Sequence, residues 1–240
     1  CLRLYVFINR ISTFFIFDIA KNLTKRLGAS VLAVLIFSLS PLAIYFQRRV
    51  LLDNIMIFFV LGSLWLLLRP KLKLRDIFLS SVLFGFAVLS KENAILFLPA
   101  FLYVLWKYAH KAHKLFALSH WFIISSFIIS VYFLYAWYKS ELFLPPDGVD
   151  KVSLLKTFFD QLHRGSNLAF WNSQSDFYRS YISWLNKDAF TIYLGVGASV
   201  LISILSIFRA EFRIPFLFTV TIWAFLLRGK LVIDFYIVPL

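Results

Sequence analysis

Long apolar stretches separated by short polar loops recur along the whole chain. Eight lie between Leu2 and Leu227, and a ninth opens at Leu231. A helix of about 20 apolar residues spans the hydrocarbon core of a bilayer. The pattern therefore predicts an all-α, polytopic transmembrane bundle of about eight to nine spans. The predicted spans are residues 2–17, 29–46, 54–68, 77–90, 94–106, 115–138, 190–208, 214–227 and the partial span 231–240.

The stretch from residue 77 to residue 106 is interpreted as two short helices. One helix of these 30 residues would be about 45 Å long, against a hydrocarbon core of about 30 Å. It would also place Lys91 and Glu92 near the bilayer centre, at a cost of several kcal/mol. Two helices joined at an outer Lys91-Glu92 turn avoid both problems.

Alternate loops are rich in Lys and Arg, which predicts that they lie on the cytoplasmic side. The opposite, exoplasmic side has short turns and one long loop, residues 139–188, in which six acidic and six basic residues cancel. Apolar residues recur at helical spacing in this loop, from Leu154 to Leu162 and from Phe177 to Trp184. They predict helices that lie in the membrane interface.

Composition excludes a soluble domain and a nucleic-acid partner. The chain is 61% hydrophobic and 15% charged, whereas soluble domains carry about 25% charged residues. The net charge of +13 is spread over interhelical loops, so it indicates membrane anchoring. Cys1 is the only cysteine and the four histidines are scattered, which leaves no internal disulfide and no zinc motif.

The candidate site consists of charged residues predicted at the outer boundary of the hydrocarbon. Charges at this depth indicate function, and Arg and Lys there suit the phosphate of a lipid carrier. The alternative is that each cation extends to the lipid headgroups. The candidates are the cations Arg48, Arg49, Lys91, Arg228 and Lys230 and the acids Asp53 and Glu92.

Asp53 and Glu92 each have two interpretations. Asp53 lies four residues after Arg49, so the two form a helical i,i+4 pair, either as a local ion pair or as a carboxylate that orients an acceptor or a phosphate-binding Arg. Lys91-Glu92 is likewise a turn or a site pair. His163 and the acids of the long loop are expected to be solvated surface.

Four segments, in order, resemble the GT-C class of lipid-phosphosugar glycosyltransferases, in particular the protein O-mannosyltransferase and lipid A aminoarabinose transferase branch. The first is similar to that family's "SP…SR-x-x-L-x-D…FF" stretch and the second to its "GLA-x-L-[ST]-K…LP" hairpin. The segments are Ser40-Pro41 with residues 47–54 and Phe58-Phe59; residues 85–92 with Leu98-Pro99; residues 184–188; and residues 228–230 with 234–240.

The resemblance implies a glycosyltransferase, mannosyltransferase-like, that uses a polyprenyl-phosphate-linked sugar on the outer face of the plasma membrane, with inversion at the anomeric carbon. By similarity Arg48 falls on the family's Arg and Asp53 on its second acidic position, while the duplicated Arg48-Arg49 leaves the equivalence open. The family's general base is expected before Cys1. No cofactor is assigned, and participation of a divalent metal stays open.

The chain is interpreted as a single transmembrane glycosyltransferase-like domain, residues 1–240, that contains the exoplasmic loop 139–188. It is expected to be a fragment, truncated at both ends and inactive by itself. Its expected partners are the lipid-linked donor, membrane lipid and an acceptor that is a protein, lipid or glycan. A transporter or lipid flippase, or a scaffolding membrane protein, remains the alternative, although no internal repeat typical of transporters is seen.

Overall fold

The structure, a computed structural model, describes residues 2–41, 44–45, 52–143, 153–162 and 172–228. Within these residues all regular secondary structure is helical. The α-helices are α1 (Leu2–Thr24), α2 (Leu27–Leu39), α3 (Leu52–Leu67), α4 (Leu74–Ser90), α5 (Leu98–Tyr108), α6 (Lys114–Tyr138), α7 (Leu154–Leu162), α8 (Asp176–Phe208) and α9 (Arg213–Arg228). Short 3₁₀ turns occupy Glu92–Phe97, Lys111–His113 and Ala210–Phe212.

The prediction of an all-α chain is confirmed for the described residues, and a helix lies at each of the first eight predicted spans. Two segments of that part of the chain, Lys111–Tyr138 and Asp176–Phe208, are long and apolar enough to cross a membrane. Leu27–Leu39 and Leu52–Leu67 are apolar but shorter. The number of eight to nine spans therefore stays a prediction, and the ninth, residues 231–240, lies outside the described residues.

Helices α1, α3 and α4 form one packing unit. Phe15 contacts Phe58 at 5.9 Å between ring centroids, and Asp18 accepts a hydrogen bond from Trp65 at 2.7 Å. The later residue of α1, Asp18, contacts the later residue of α3, Trp65, so α1 and α3 run in the same direction. Helix α4 returns antiparallel to α3, because the turn after α3 carries the Arg69–Asp76 ion pair whereas the far ends of the two helices meet at Asp53 and Lys91.

Helices α4 and α6 run parallel and pack closely. Trp121 of α6 donates to Ser80 Oγ at 3.1 Å, and Ser125 donates to the Ser81 carbonyl at 3.0 Å. Further along both helices, a Cβ on Gly85 would lie 2.8 Å from Ile128 Cβ. Small residues of this kind let helix backbones approach, and buried serines satisfy hydrogen bonds between helices in an apolar environment.

The helix break expected at Lys91 is present. Helix α4 ends at Ser90, and Lys91 has extended backbone angles, φ −158° and ψ 126°. The chain then returns through α5, so that Phe84 of α4 contacts Phe101 of α5 at 4.9 Å between centroids. Trp121 stacks on Phe101 at 5.7 Å, and all three rings are buried. This aromatic core holds α4, α5 and α6 together.

Candidate functional site

A buried ion pair joins two of the predicted site residues. Lys91 Nζ donates to Asp53 Oδ1 at 2.5 Å, and only 13% and 10% of the two side chains are exposed. The residues are 38 positions apart in the chain. They meet because α3 and α4 are antiparallel, so the start of α3 lies beside the end of α4.

The helix ends favour the charge that each partner carries. Asp53 lies in the first turn of α3 and Lys91 directly follows the last residue of α4. A carboxylate is stabilised at the positive end of a helix dipole and an ammonium group at the negative end. In this largely buried position each side chain compensates the charge of the other.

Among the other predicted site residues, Glu92 alone has a described side chain. Glu92 begins the 3₁₀ turn after Lys91, with an exposed side chain. Arg228 is the last residue of α9. Arg48, Arg49 and Lys230 lie outside the described residues. The expected Arg49–Asp53 pair therefore stays a prediction, and the Lys91 ion pair runs to Asp53 on the neighbouring helix.

Asp188 is a buried carboxylate, and the expectation that the acids of the long loop are solvated surface is wrong for it. It is 6% exposed. Asp188 Oδ2 accepts a hydrogen bond from Ser40 Oγ at 2.8 Å, and Oδ1 accepts one from the Thr191 amide at 3.1 Å. Helix α8 is broken at this residue, φ −158° and ψ 72°. Asp188 therefore caps the second part of α8 while it binds the end of α2.

A sequence signal for Asp188 existed. The polar run Asn186-Lys187-Asp188 interrupts an apolar pattern, and Asp three residues before Thr191 is a typical cap spacing. Its partner Ser40 lies 148 residues away, so the burial of the carboxylate depends on tertiary structure.

A second polar network lies near the end of α3 that is opposite to the Asp53–Lys91 pair. Asp18 Oδ2 accepts hydrogen bonds from Trp65 Nε1 at 2.7 Å and from Asn22 Nδ2 at 3.2 Å. The Arg69 guanidinium lies 4.2 Å from the centre of the Trp65 ring and pairs with the buried Asp76 at 2.9 Å. This network links α1, α3 and α4, so we assign it a structural role.

No metal centre is seen in residues 2–41, 44–45, 52–143, 153–162 and 172–228: no three His, Cys, Asp or Glu side chains are grouped there as a metal site requires. The groups that the structure brings together at the described site are the ammonium group of Lys91 and the carboxylate of Asp53.

Two of the described helical segments are long and apolar enough to cross a membrane, which is compatible with the class of helical membrane proteins. Residues 4–138 match the family model of dolichyl-phosphate-mannose-protein mannosyltransferases. The chain belongs to this family of integral membrane glycosyltransferases of the GT-C type. Neither a curated protein nor a solved structure matches it.

Family membership confirms the expected resemblance and favours a glycosyltransferase over a transporter or flippase. Both Asp53 and Lys91 lie inside the matched residues. The buried ion pair is thus part of the region that defines the family.

Proposed function

We propose that this protein transfers a sugar from a polyprenyl-phosphate carrier to an acceptor hydroxyl at the exoplasmic face of the plasma membrane, with Lys91 and Asp53 in the donor site. The observation that carries the proposal is the buried Asp53–Lys91 pair, formed between two helix ends inside the family-matched region. An ion pair alone would be enough to hold the two helices together. We further propose that Lys91 acts on the donor phosphate.

The chemistry of the leaving group supports a cation at this position. Breaking the bond between the anomeric carbon and the phosphate oxygen leaves negative charge on the lipid phosphate. A preorganised ammonium group stabilises that charge most strongly where water is largely excluded. Asp53 pairs with Lys91 and fixes the position of its ammonium group, and this makes Asp53 the positioning residue of the pair.

The other predicted residues complete the proposed donor site. The remaining cations are proposed to contact the phosphate: Arg48, Arg49, Arg228 and Lys230. A guanidinium group offers two parallel donors to phosphate oxygens, and an ammonium group offers a compact charge. Glu92, exposed beside Lys91, is proposed to contact the sugar or the acceptor. A carboxylate must also deprotonate the acceptor hydroxyl, and we assign none of these residues to that step. The acceptor is proposed to be a hydroxyl of a protein, lipid or glycan, and no metal is assigned to the transfer step.

Substitution of Lys91 tests the proposal in the intact protein. Lys91→Ala should reduce transfer from a radiolabelled polyprenyl-phosphate sugar by about 100-fold to 1,000-fold, the usual cost of removing one donor that stabilises transition-state charge. The assay compares membranes that contain equal amounts of inserted protein. Arg209→Ala is the control, because Arg209 is exposed and pairs with Glu211 at 3.7 Å in the turn before α9.

A charge swap separates catalysis from folding. Asp53→Lys combined with Lys91→Asp restores opposite charges between α3 and α4, so it should recover part of the melting temperature lost in Lys91→Ala. Recovery is incomplete because each charge then lies at the helix end that disfavours it. The double substitution moves the cation to the other helix and should leave transfer low. Recovery of both stability and transfer would mean that the pair is structural and would overturn the site assignment.

A further inference from the structure

An apolar groove lies between α5 and α6, away from the proposed donor site. Its volume is about 510 Å³. Trp106 and Phe122 at its edge are half exposed, so the groove opens to the side of the protein. It is lined by Leu102, Tyr103, Trp106, Leu118, Ser119 and Phe122.

The end of this groove is bordered by cations. The turn between α5 and α6, residues 107–114, contains three lysines and two histidines and no acidic residue. Lys114 Nζ lies 4.9 Å from the centre of the Trp106 ring, which forms part of the groove wall. Lys111 is exposed within the turn. An apolar channel therefore meets positive charge at its edge.

A second basic turn lies beside the first. Lys107 Nζ donates to the Ala210 carbonyl at 3.0 Å, which brings the turn before α9 against the turn after α5. Arg209 and Arg213, both exposed, add charge at this end of the protein. Glu211 pairs with Arg209, so the two turns together remain strongly positive.

We propose that this groove binds one anionic phospholipid, with an acyl chain between α5 and α6 and the phosphate against Lys111 and Lys114. The apolar lining fits a hydrocarbon chain, and the cationic edge fits a phosphodiester at headgroup depth. Basic pockets between helix ends are typical sites for anionic headgroups. A soluble anion would use only the cations and leave the groove empty.

The site is independent of sugar transfer, since the groove and the Asp53–Lys91 pair are formed by different parts of the bundle. The bound lipid would cover the apolar edges of Trp106 and Phe122 and neutralise part of the basic turn. It would therefore act as a lipid that stabilises the α5–α6 contact.

Lipid binding is tested by native mass spectrometry of the purified full chain in mild detergent, titrated with dioctanoyl phosphatidylglycerol or dioctanoyl phosphatidylcholine. Phosphatidylglycerol should bind at least tenfold more tightly. Lys111→Gln combined with Lys114→Gln should weaken phosphatidylglycerol binding by about 25-fold, since each lysine near an anionic surface contributes about fivefold to the affinity. Lys71→Gln with Lys73→Gln is an equal loss of charge in an exposed turn that does not line the groove, and it should change the affinity for phosphatidylglycerol by much less than the first pair does.

Two further measurements separate a lipid from a soluble anion. Ser119→Trp, which fills the groove without changing charge, should weaken both lipids. Glycerol 3-phosphate at the same concentration should not displace phosphatidylglycerol. Equal affinity for the two lipids, an equal effect of the two lysine pairs, or displacement by glycerol 3-phosphate would each overturn the proposal.

Discussion

Asp188 shows how one side chain can hold two helices in an apolar environment. One carboxylate oxygen binds the Ser40 hydroxyl of the chain end after α2, and the other caps the second part of α8. A carboxyl group that is 6% exposed is tolerated because both of its oxygens accept hydrogen bonds. Ser40 supplies one of the hydrogen bonds that satisfy this buried side chain.

Ser40→Ala should lower the free energy of unfolding by about 1.5–3 kcal/mol, the range for a hydrogen bond to a charged group. Ser38→Ala is the matched control, because Ser38 is exposed near the end of α2, and its effect should stay within about 0.5 kcal/mol. Denaturation of the purified protein in mixed micelles measures both values. Equal effects of the two substitutions would contradict the role given to the Ser40–Asp188 bond.

The charged residues of the site could be found from the sequence, but their partners could not. Asp53 and Lys91 stand out because ionised residues are rare beside apolar stretches. The sequence shows only which residues are close along the chain, so it pairs Asp53 with Arg49 and Lys91 with Glu92. The actual Asp53–Lys91 pair depends on α3 and α4 being antiparallel neighbours. Ser40 and Asp188 illustrate the same limit over a longer separation.

At the scale of the elements, glycines fall into two groups according to their surroundings. A Cβ on Gly85 would lie 2.8 Å from Cβ and Cγ2 of Ile128, atoms close to the α6 backbone that cannot rotate away. Nothing lies within 4 Å of the corresponding position at Gly195 in α8. The first glycine is needed for helix packing and the second is not.

Gly85→Ala should therefore destabilise the protein by about 1–3 kcal/mol, as overpacking does in a close-packed interior. Gly195→Ala should be neutral or stabilising by up to about 1 kcal/mol, since alanine is the better helix former. Melting temperatures of the two variants in the same detergent give the comparison. A loss of stability at Gly195 as large as that at Gly85 would show that the α4–α6 contact is looser than described.

The elements themselves were largely predictable. Long apolar runs give helices at eight of the predicted positions, and the expected break at Lys91 is present because Lys91 leaves helical geometry. The two helical segments expected before and after Asp188 are also present, because Asp188 leaves helical geometry within Asp176–Phe208. Trp184 of the first segment is fully buried, and this burial depends on tertiary contacts that the sequence pattern does not show.

At the scale of the whole molecule, contacts place the basic turns together. The Lys107–Ala210 hydrogen bond joins two of the turns that charge alone assigns to one side. The Asp53–Lys91 and Ser40–Asp188 pairs lie at the opposite ends of their helices. This arrangement agrees with the alternation of loops in the sequence, and it leads to a test of which end faces the cytoplasm.

Single cysteines in a Cys1→Ser background test the predicted sidedness. A cysteine at Ser173, exposed just before α8, should react with a membrane-impermeant maleimide in intact cells. A cysteine at Ala112, exposed in the basic turn, should react only after the membrane is permeabilised. The positive-inside rule is the physical reason. The reverse pattern would move the proposed donor site to the cytoplasmic face.

The separation of Asp53 from Lys91 along the chain affects how the protein is made. Lys91 is synthesised 38 residues after Asp53, a delay of about 2–8 seconds at the usual rate of translation. Until then, α3 carries a carboxylate whose partner does not exist, and placing such a charge in the bilayer is costly. We therefore expect helix α3 to enter the membrane together with α4, once Lys91 is available to pair with Asp53.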